Sequence, residues 1–323
     1  MKRFSFLLAL VAGMVVSAVT HATVVGGTQA SCPPSATVLS VQQRQQIQTQ
    51  ASNRGLLWEV EKNGKRFYLY GTLHLGKREW FAPGPDLKKA LTNSQRILLE
   101  LDPYAPPSQR TGPDKPVAPK GKPIYMAISP NWQNSINELA RQACIPEQPL
   151  ARMNVFSRLR TLGYAQAQHD GLHRAYSLER MLSQYARHRG LPILAMETTA
   201  SQAAGFQPTS GADAQRMVDV ALEQLRNGTT RRVTQHMAKA WEKGDLADLS
   251  AYETWCECAQ LPQDRALLAR ANDDRNLAFA QRLANEHQSG PSFLAAVGAL
   301  HMTGPKALPK LLTEQGFKLK RVY

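Results

Sequence analysis

Two runs in this chain place chemistry-bearing residues at one spacing. Phe67-Tyr-Leu-Tyr-Gly71-Thr-Leu-His74 is an apolar stretch ending in Gly-x-x-His, and Phe293-Leu-Ala-Ala-Val-Gly298-Ala-Leu-His301 repeats the pattern near the other end. Imidazole exchanges protons near neutral pH and is a common metal ligand. Gly71 and Gly298 permit φ > 0 or a close backbone approach, so the chain can bend and present the ring. Two further apolar runs end in acids: Arg96-Ile-Leu-Leu-Glu100-Leu-Asp102 and Leu191-Pro-Ile-Leu-Ala-Met-Glu197. If the four strands are parallel neighbours, His74, Glu100, Glu197 and His301 project into one crevice, the edge where open α/β sheets bind ligands.

Two histidines and a carboxylate are enough to hold a divalent metal with open positions for water and substrate. His74, Glu100 and His301 are the candidate ligands, and manganese, cobalt or zinc the candidate ions. A bound metal would lower the pKa of its water and supply a nucleophile. Without metal, an imidazole paired with a carboxylate is a general base. Arg275, beside Asn276 in a helical run, could neutralise a carboxylate or an oxyanion there. Each residue also has a plainer reading. A strand-end histidine is often only hydrogen-bonded, Glu100 would cap a helix through a salt bridge, Glu197 would cap the helix after it, and Arg275 would be a solvated charge. The remaining histidines, His169, His173, His188, His236 and His287, fall in polar stretches and read as surface. Gly171 argues against a helical metal pair at 169 and 173.

The elements that must position these residues are legible around them. Leu56 to Val60 and Arg66 to Tyr70 flank Asn63-Gly64, a two-residue hairpin signal. Helical patterns cover 41–51, 86–91, a segment opened by Ser129-Pro130 with Trp132, Ile136, Leu139 and Ala143 on one face, 155–167 and 177–188. The region 213–285 is mostly helical, with one long run over 264–286. After His301, Thr303 reads as an N-cap and Pro305 as a first-turn proline, so a helix bearing Leu308, Leu311 and Leu312 should begin there. Gly316 closes it and 317–322 returns as a strand.

The 323-residue chain carries a net charge of +14. Its basic residues are scattered without interleaved aromatics, which argues against nucleic acid and fits an anionic envelope surface or polysaccharide. Lys2-Arg3, the apolar Phe6 to Val16 and Thr20-His-Ala22 have the form of a signal peptide over 1–22, cleaved after Ala22, for a periplasmic or secreted protein. No segment is long enough for a stable membrane span. Residues 23–55 form a polar lead-in and 56–323 an α/β domain, with a proline-rich insertion at 104–124. Cys32, Cys144, Cys256 and Cys258 favour disulfides in an oxidising compartment. A direct Cys256–Cys258 bridge would close a very small, strained ring, so a long-range bridge from Cys144 to one of the two is preferred, with a Cys-x-Cys metal or redox site as the rival.

Tyr70-Gly-Thr-Leu-His74, Ile97-Leu-Leu-Glu100-Leu-Asp102, Leu194-Ala-Met-Glu197-Thr with Gln202, Arg275-Asn276 and Val297-Gly-Ala-Leu-His301-Met-Thr-Gly-Pro305 together resemble the TraB/GumN proteins of the Tiki superfamily. These are relatives of the erythromycin esterases and ChaN-like proteins, and the resemblance covers roughly residues 55 to 323. It implies a largely parallel sheet flanked by helices, a mostly helical segment between the two Gly-x-x-His halves, and a hydrolase. Animal Tiki members are metal-dependent proteases, and the esterases use a histidine and a glutamate. Carried over, His74, Glu100 and His301 match the catalytic set and Arg275 a family arginine, with Glu197 in support. The expectation is an exported hydrolase, metalloprotease-like, acting on a peptide or small-molecule amide or ester. The alternatives are a non-catalytic metal- or haem-binding protein and an accessory protein of envelope or polysaccharide assembly.

Overall fold

The computed structural model describes residues 32–105 and 128–323. The signal peptide expected over 1–22, the start of the expected lead-in and the proline-rich segment beyond residue 105 lie outside them.

The sheet begins with a hairpin. β1 (Leu56–Lys62) and β2 (Lys65–Thr72) pair antiparallel in the register Leu56 to Gly71. Asn63 and Gly64 make the turn with φ of 54° and 76°, the left-handed pair that matches strand twist. β3 (Arg96–Leu99), β4 (Ile193–Ala195), β5 (Phe293–Gly298) and β6 (Lys318–Arg321) complete six strands in the order β4-β3-β5-β2-β1-β6. β5 lies parallel to both β2 and β3, and β3 lies parallel to β4. Phe293 to Val297 are wholly buried, as expected of a strand covered on both faces. Only β1 runs against the rest, so the fold is α/β with a largely parallel sheet. The carboxyl ends of β4, β3, β5 and β2 therefore share one edge.

The helices are α1 (Val41–Thr49), α2 (Pro85–Thr92), α3 (Pro130–Gln142), α4 (Glu147–Ala151), α5 (Val155–Gln168), α6 (Leu178–Arg189), α7 (Thr199–Gly205), α8 (Gly211–Arg226), α9 (Thr229–Glu242), α10 (Leu246–Ser250), α11 (Tyr252–Trp255), α12 (Pro262–Ala271), α13 (Asp273–Ser289) and α14 (Leu308–Glu314). One core packs on the sheet around Phe67, Phe293, Trp80 and Trp241. A second, built from Trp132, Ile136, Leu159, Leu162, Val218 and Leu222, joins α3, α5 and α8 away from the strands. Trp241 ties α9 to the sheet, because its buried indole N–H donates to the Gly71 carbonyl at 2.7 Å. Among the described residues no helix is long and apolar enough to cross a membrane.

Four expectations are corrected. The run over 264–286 is not one helix: it breaks at Asn272 (φ −120°, ψ −68°), whose side chain turns to donate to the Leu300 carbonyl. The last helix starts at Leu308 with Pro309 in its first turn, not at Thr303. Gly304 takes φ 83°, and Asn276 binds the carbonyls of both His301 and Lys306, holding 301–306 as a loop. His173 and His287 are buried rather than on the surface. His287 packs in a T-shaped contact with Phe317 and bonds the Lys62 carbonyl, whereas the backbone at His173 bridges Gly76. Finally, the cysteines pair as Cys32–Cys144 and Cys256–Cys258. Cys144 is engaged by Cys32, and Glu257 adopts φ 54°, which brings the Cα atoms of Cys256 and Cys258 to 5.1 Å.

Candidate active site

Glu100 is the first residue after β3, and burial among apolar strands makes its charge costly without partners. Its partners are supplied from three neighbouring strand ends and helices. Oε1 accepts the Gly298 N–H at 2.6 Å, and Oε2 accepts Arg275 Nη2 at 2.5 Å and Gln202 Nε2 at 3.3 Å. A Cβ on Gly298 would lie 3.4 Å from Glu100 Oε1, and one on Gly71 would lie 3.2 Å from the Ala299 Cα. Both motif glycines thus serve close approach, with φ outside the left-handed region.

Glu197, two residues past β4, receives the same guanidinium. Arg275 Nη2 reaches its Oε1 at 2.5 Å and Nε reaches Oε2 at 3.1 Å, while Gln202 adds a bond of 3.0 Å. Thr198, not Glu197, caps α7. Two buried carboxylates therefore share one arginine. Burial pushes Glu100 up, but the His301, Arg275 and His74 charges and the Gly298 amide outweigh it, and the carboxyl lies well below the usual range. Burial raises Glu197, and the neighbouring Glu100 charge adds to the rise against the Arg275 bonds. The environments push the two carboxyls apart, a pattern that separates acid from base roles in active sites.

His301 lies in a short 3-10 turn after β5 with its side chain 5% exposed. Asn276 fixes its tautomer. The amide nitrogen of Asn276 is committed to two carbonyls, so its oxygen faces His301 Nδ1 at 2.6 Å and that nitrogen must carry the proton. Nε2 is left as a lone pair, 3.2 Å from Arg275 Nη1 and 3.7 Å from Glu100. Burial and then Arg275 and His74 push the imidazole down to about 4, against the opposing pull of Glu100. His301 is neutral at ordinary pH.

His74, at the carboxyl end of β2, stands apart from that floor. Its ring is 60% exposed and its Nδ1 meets Glu179 Oε1 at 3.0 Å. Glu179, in the first turn of α6, also accepts Thr72 Oγ1 at 2.6 Å. The Glu179 carboxylate is the main cause that raises His74 to about 9, with water at the open ring face screening the pair. Glu179 is the site residue that sequence reasoning missed. A glutamate in a first helical turn looks like a companion of the helix dipole, and only the fold reveals that it faces His74.

The structure brings Glu100, Glu197, Arg275 and His301 into one hydrogen-bonded cluster and leaves His74 beside it with Glu179. The donors proposed for a divalent ion do not fit one in this arrangement. Arg275 fills the position between Glu100, Glu197 and His301 where a cation would sit, and Glu179 engages His74. Among the described residues no three His, Cys, Asp or Glu side chains are grouped to hold a metal.

A largely parallel sheet whose strand ends carry this cluster defines an α/β protein with paired Gly-x-x-His edges. The chain belongs to the TraB/PrgY/gumN family, which residues 56–321 match. It is similar to the uncharacterized protein YbaP of Escherichia coli (strain K12), 24% identical over 77% of this chain and 88% of that protein. It is also similar to YbaP of Shigella flexneri, 24% identical over 76% and 87% of the two chains. No solved structure matches it.

Proposed function

We propose that this chain is an exported hydrolase of peptide or other amide or ester bonds, of the kind its resemblance to the Tiki proteins and erythromycin esterases implies. The observation that carries the reading is the His74–Glu179 pair at the open rim of a buried Glu100–Arg275–Glu197–His301 floor. Glu179 holds the Nδ1 proton of His74, so Nε2 is the nitrogen that exchanges protons with solvent or substrate, the logic by which an acid orients a histidine base. His74 takes a proton from an attacking water and returns it to the leaving group. Glu100 is ionised and saturated with donors, which makes it a poor base. Its work is to hold Arg275 and the Gly298 amide in place, and Arg275 balances the two buried carboxylates beneath the rim.

Arg275 already bridges Glu100 and Glu197, and the steps above use the chain's own side chains. Two disulfides support an oxidising, periplasmic or secreted setting. A panel of peptide, amide and ester substrates tests the reading. His74→Ala should lose about 10²–10⁴-fold in turnover while its circular dichroism is unchanged. Undiminished turnover in that variant sinks the assignment.

One observation favours a second reading. Every polar group of the floor is satisfied by another, as in a structural network, which suits a non-catalytic binding or envelope-assembly protein. Deleting residues 104–124 would then abolish function in cells, whereas His74→Ala would not.

A further inference from the structure

The Cys256–Cys258 disulfide lies outside the strand-end site, and nothing in the proposed hydrolysis uses it. Its setting departs from that of a bond buried for stability. The ring closes through one residue, Glu257, a non-glycine held at φ 54° in the sparsely populated left-handed region. The surroundings over-determine this backbone: Gln224 donates to the Glu257 carbonyl at 2.9 Å, and Arg232 and Thr229 each reach its carboxylate at 3.3 Å. The two cysteines are unequal. Cys256 is 2% exposed, whereas Cys258 is partly open to solvent. The Cys258 N–H donates to Cys256 Sγ at 3.1 Å, so a thiolate leaving at Cys256 meets a donor already in place.

We propose that Cys256–Cys258 is a thiol–disulfide exchange site that oxidises a dithiol peptide. The client thiolate attacks Cys258 Sγ, the accessible sulfur, and forms a mixed disulfide. The bond to Cys256 breaks, and Cys256 leaves as a thiolate on the Cys258 amide and takes up a proton. The second client thiol loses its proton and attacks the client sulfur of the mixed disulfide, and Cys258 leaves and is protonated. The client dithiol has then lost two electrons and two protons to become a disulfide, and Cys256 and Cys258 have gained both. Strained or exposed disulfides are the exchangeable ones.

The adjoining surface indicates the client. A cavity of about 450 Å³ is bounded by Arg232, which pairs with Glu257, and by His236, which stacks on Trp255 at 4.1 Å. Lys239 and Lys243 line it at i, i+4 with no acidic partner within ion-pair distance among the described residues. Asp245 also lines it, and Asp248 is taken by His236 at 2.8 Å. Like charges one helical turn apart repel, and an anion between them relieves this. The client is therefore an acidic peptide carrying two thiols.

The test mixes the oxidised full-length protein with a reduced two-cysteine peptide flanked by aspartates, then traps thiols and maps them by mass. Wild type and Cys32→Ser/Cys144→Ser should each yield about one peptide disulfide per chain, with new thiols at Cys256 and Cys258 and an unchanged fold. A lysine-flanked peptide should react several-fold more slowly. Cys256→Ser/Cys258→Ser should yield none. Peptide oxidation that persists in that variant, or wild-type Cys256 and Cys258 that stay unlabelled until denaturant is added, overturns the proposal. The wild-type mapping decides the matter even if the variant unfolds.

Discussion

His74 donates from Nδ1 to Glu179 across 3.0 Å, and this one contact joins the carboxyl end of β2 to the first turn of α6. It makes the two Gly-x-x-His motifs chemically unlike. His301 is buried, neutral and held by an amide, whereas His74 is open to water and held by a carboxylate. One sequence pattern thus delivers a proton-exchanging imidazole at the rim and a fixed lone pair in the floor.

Glu179→Gln should lower the His74 pKa from about 9 toward its ordinary 6.5. The sign follows from linkage. A histidine raised in the folded state contributes stability that is complete below 6.5 and lost as pH climbs through about 9. Histidine NMR titration reads the pKa, and urea unfolding at pH 6 and pH 10 reads the stability. Wild type should lose more between those two pH values than Glu179→Gln does, and equal losses would remove the ion pair from the account.

The pH–rate profile follows from the same pair. If His74 is the base, turnover should rise with pH and level off above the ordinary histidine range, since Glu179 stabilises the protonated ring. In Glu179→Gln the rise should move to lower pH. A profile that does not respond to Glu179 would take His74 out of proton transfer.

Arg275 is the sole cation between Glu100 and Glu197 among the described ion pairs of that cluster. Arg275→Ala leaves two carboxylates in a site where both are nearly buried, and breaking such a pair costs about 3–5 kcal/mol. Urea denaturation should show this, with partial recovery in Arg275→Lys, which restores charge but not the fork that bridges both acids. A loss below about 1 kcal/mol would mean that water replaces the guanidinium.

The strand ends could be read from sequence because each buried run stops at a glycine or an acid, and apolar length alone marks such strands. That Arg275 meets the carboxylates was foreseeable from charge, since two buried acids need a cation. Glu179 was not foreseeable, because its partner lies far away in the chain and helix periodicity says nothing of what a first turn faces. The start of α14 was misplaced for a related reason. Pro305 and Pro309 are both acceptable first-turn prolines, and the choice is made by Asn276, which holds the His301 and Lys306 carbonyls. The cysteine pairing turned on the backbone of Glu257, and no spacing rule reports a φ angle.

Glu100 and Glu197 should respond oppositely to loss of charge. Glu100 is held below the usual carboxylate range, so its contribution is present above the unfolded pKa and lost as pH falls through the folded one. Glu197 is raised, so its ionised form costs stability at neutral pH. At pH 7, Glu100→Gln should therefore destabilise the protein more than Glu197→Gln. Chemical denaturation of the two variants settles the order, and the reverse order would reassign which carboxyl holds Arg275.

Asn276 dictates which nitrogen of His301 carries the proton, and this can be read directly. Nitrogen-15 NMR of wild type should show the Nδ1–H tautomer, because Asn276 presents its oxygen at 2.6 Å and spends its nitrogen on two carbonyls. Asn276→Ala strands those three groups in a buried site, each at a cost of about 1–3 kcal/mol, and frees the ring to exchange tautomers. The acid limb gives a second readout. Burial holds His301 down at about 4, so the unfolded chain binds the extra proton between 6.5 and 4 and wild-type stability should fall across that window. His301→Gln should flatten that fall. A wild-type ring found with its proton on Nε2 would set that N–H against the Arg275 guanidinium, which cannot accept, and would remove Asn276 as the residue that fixes the tautomer.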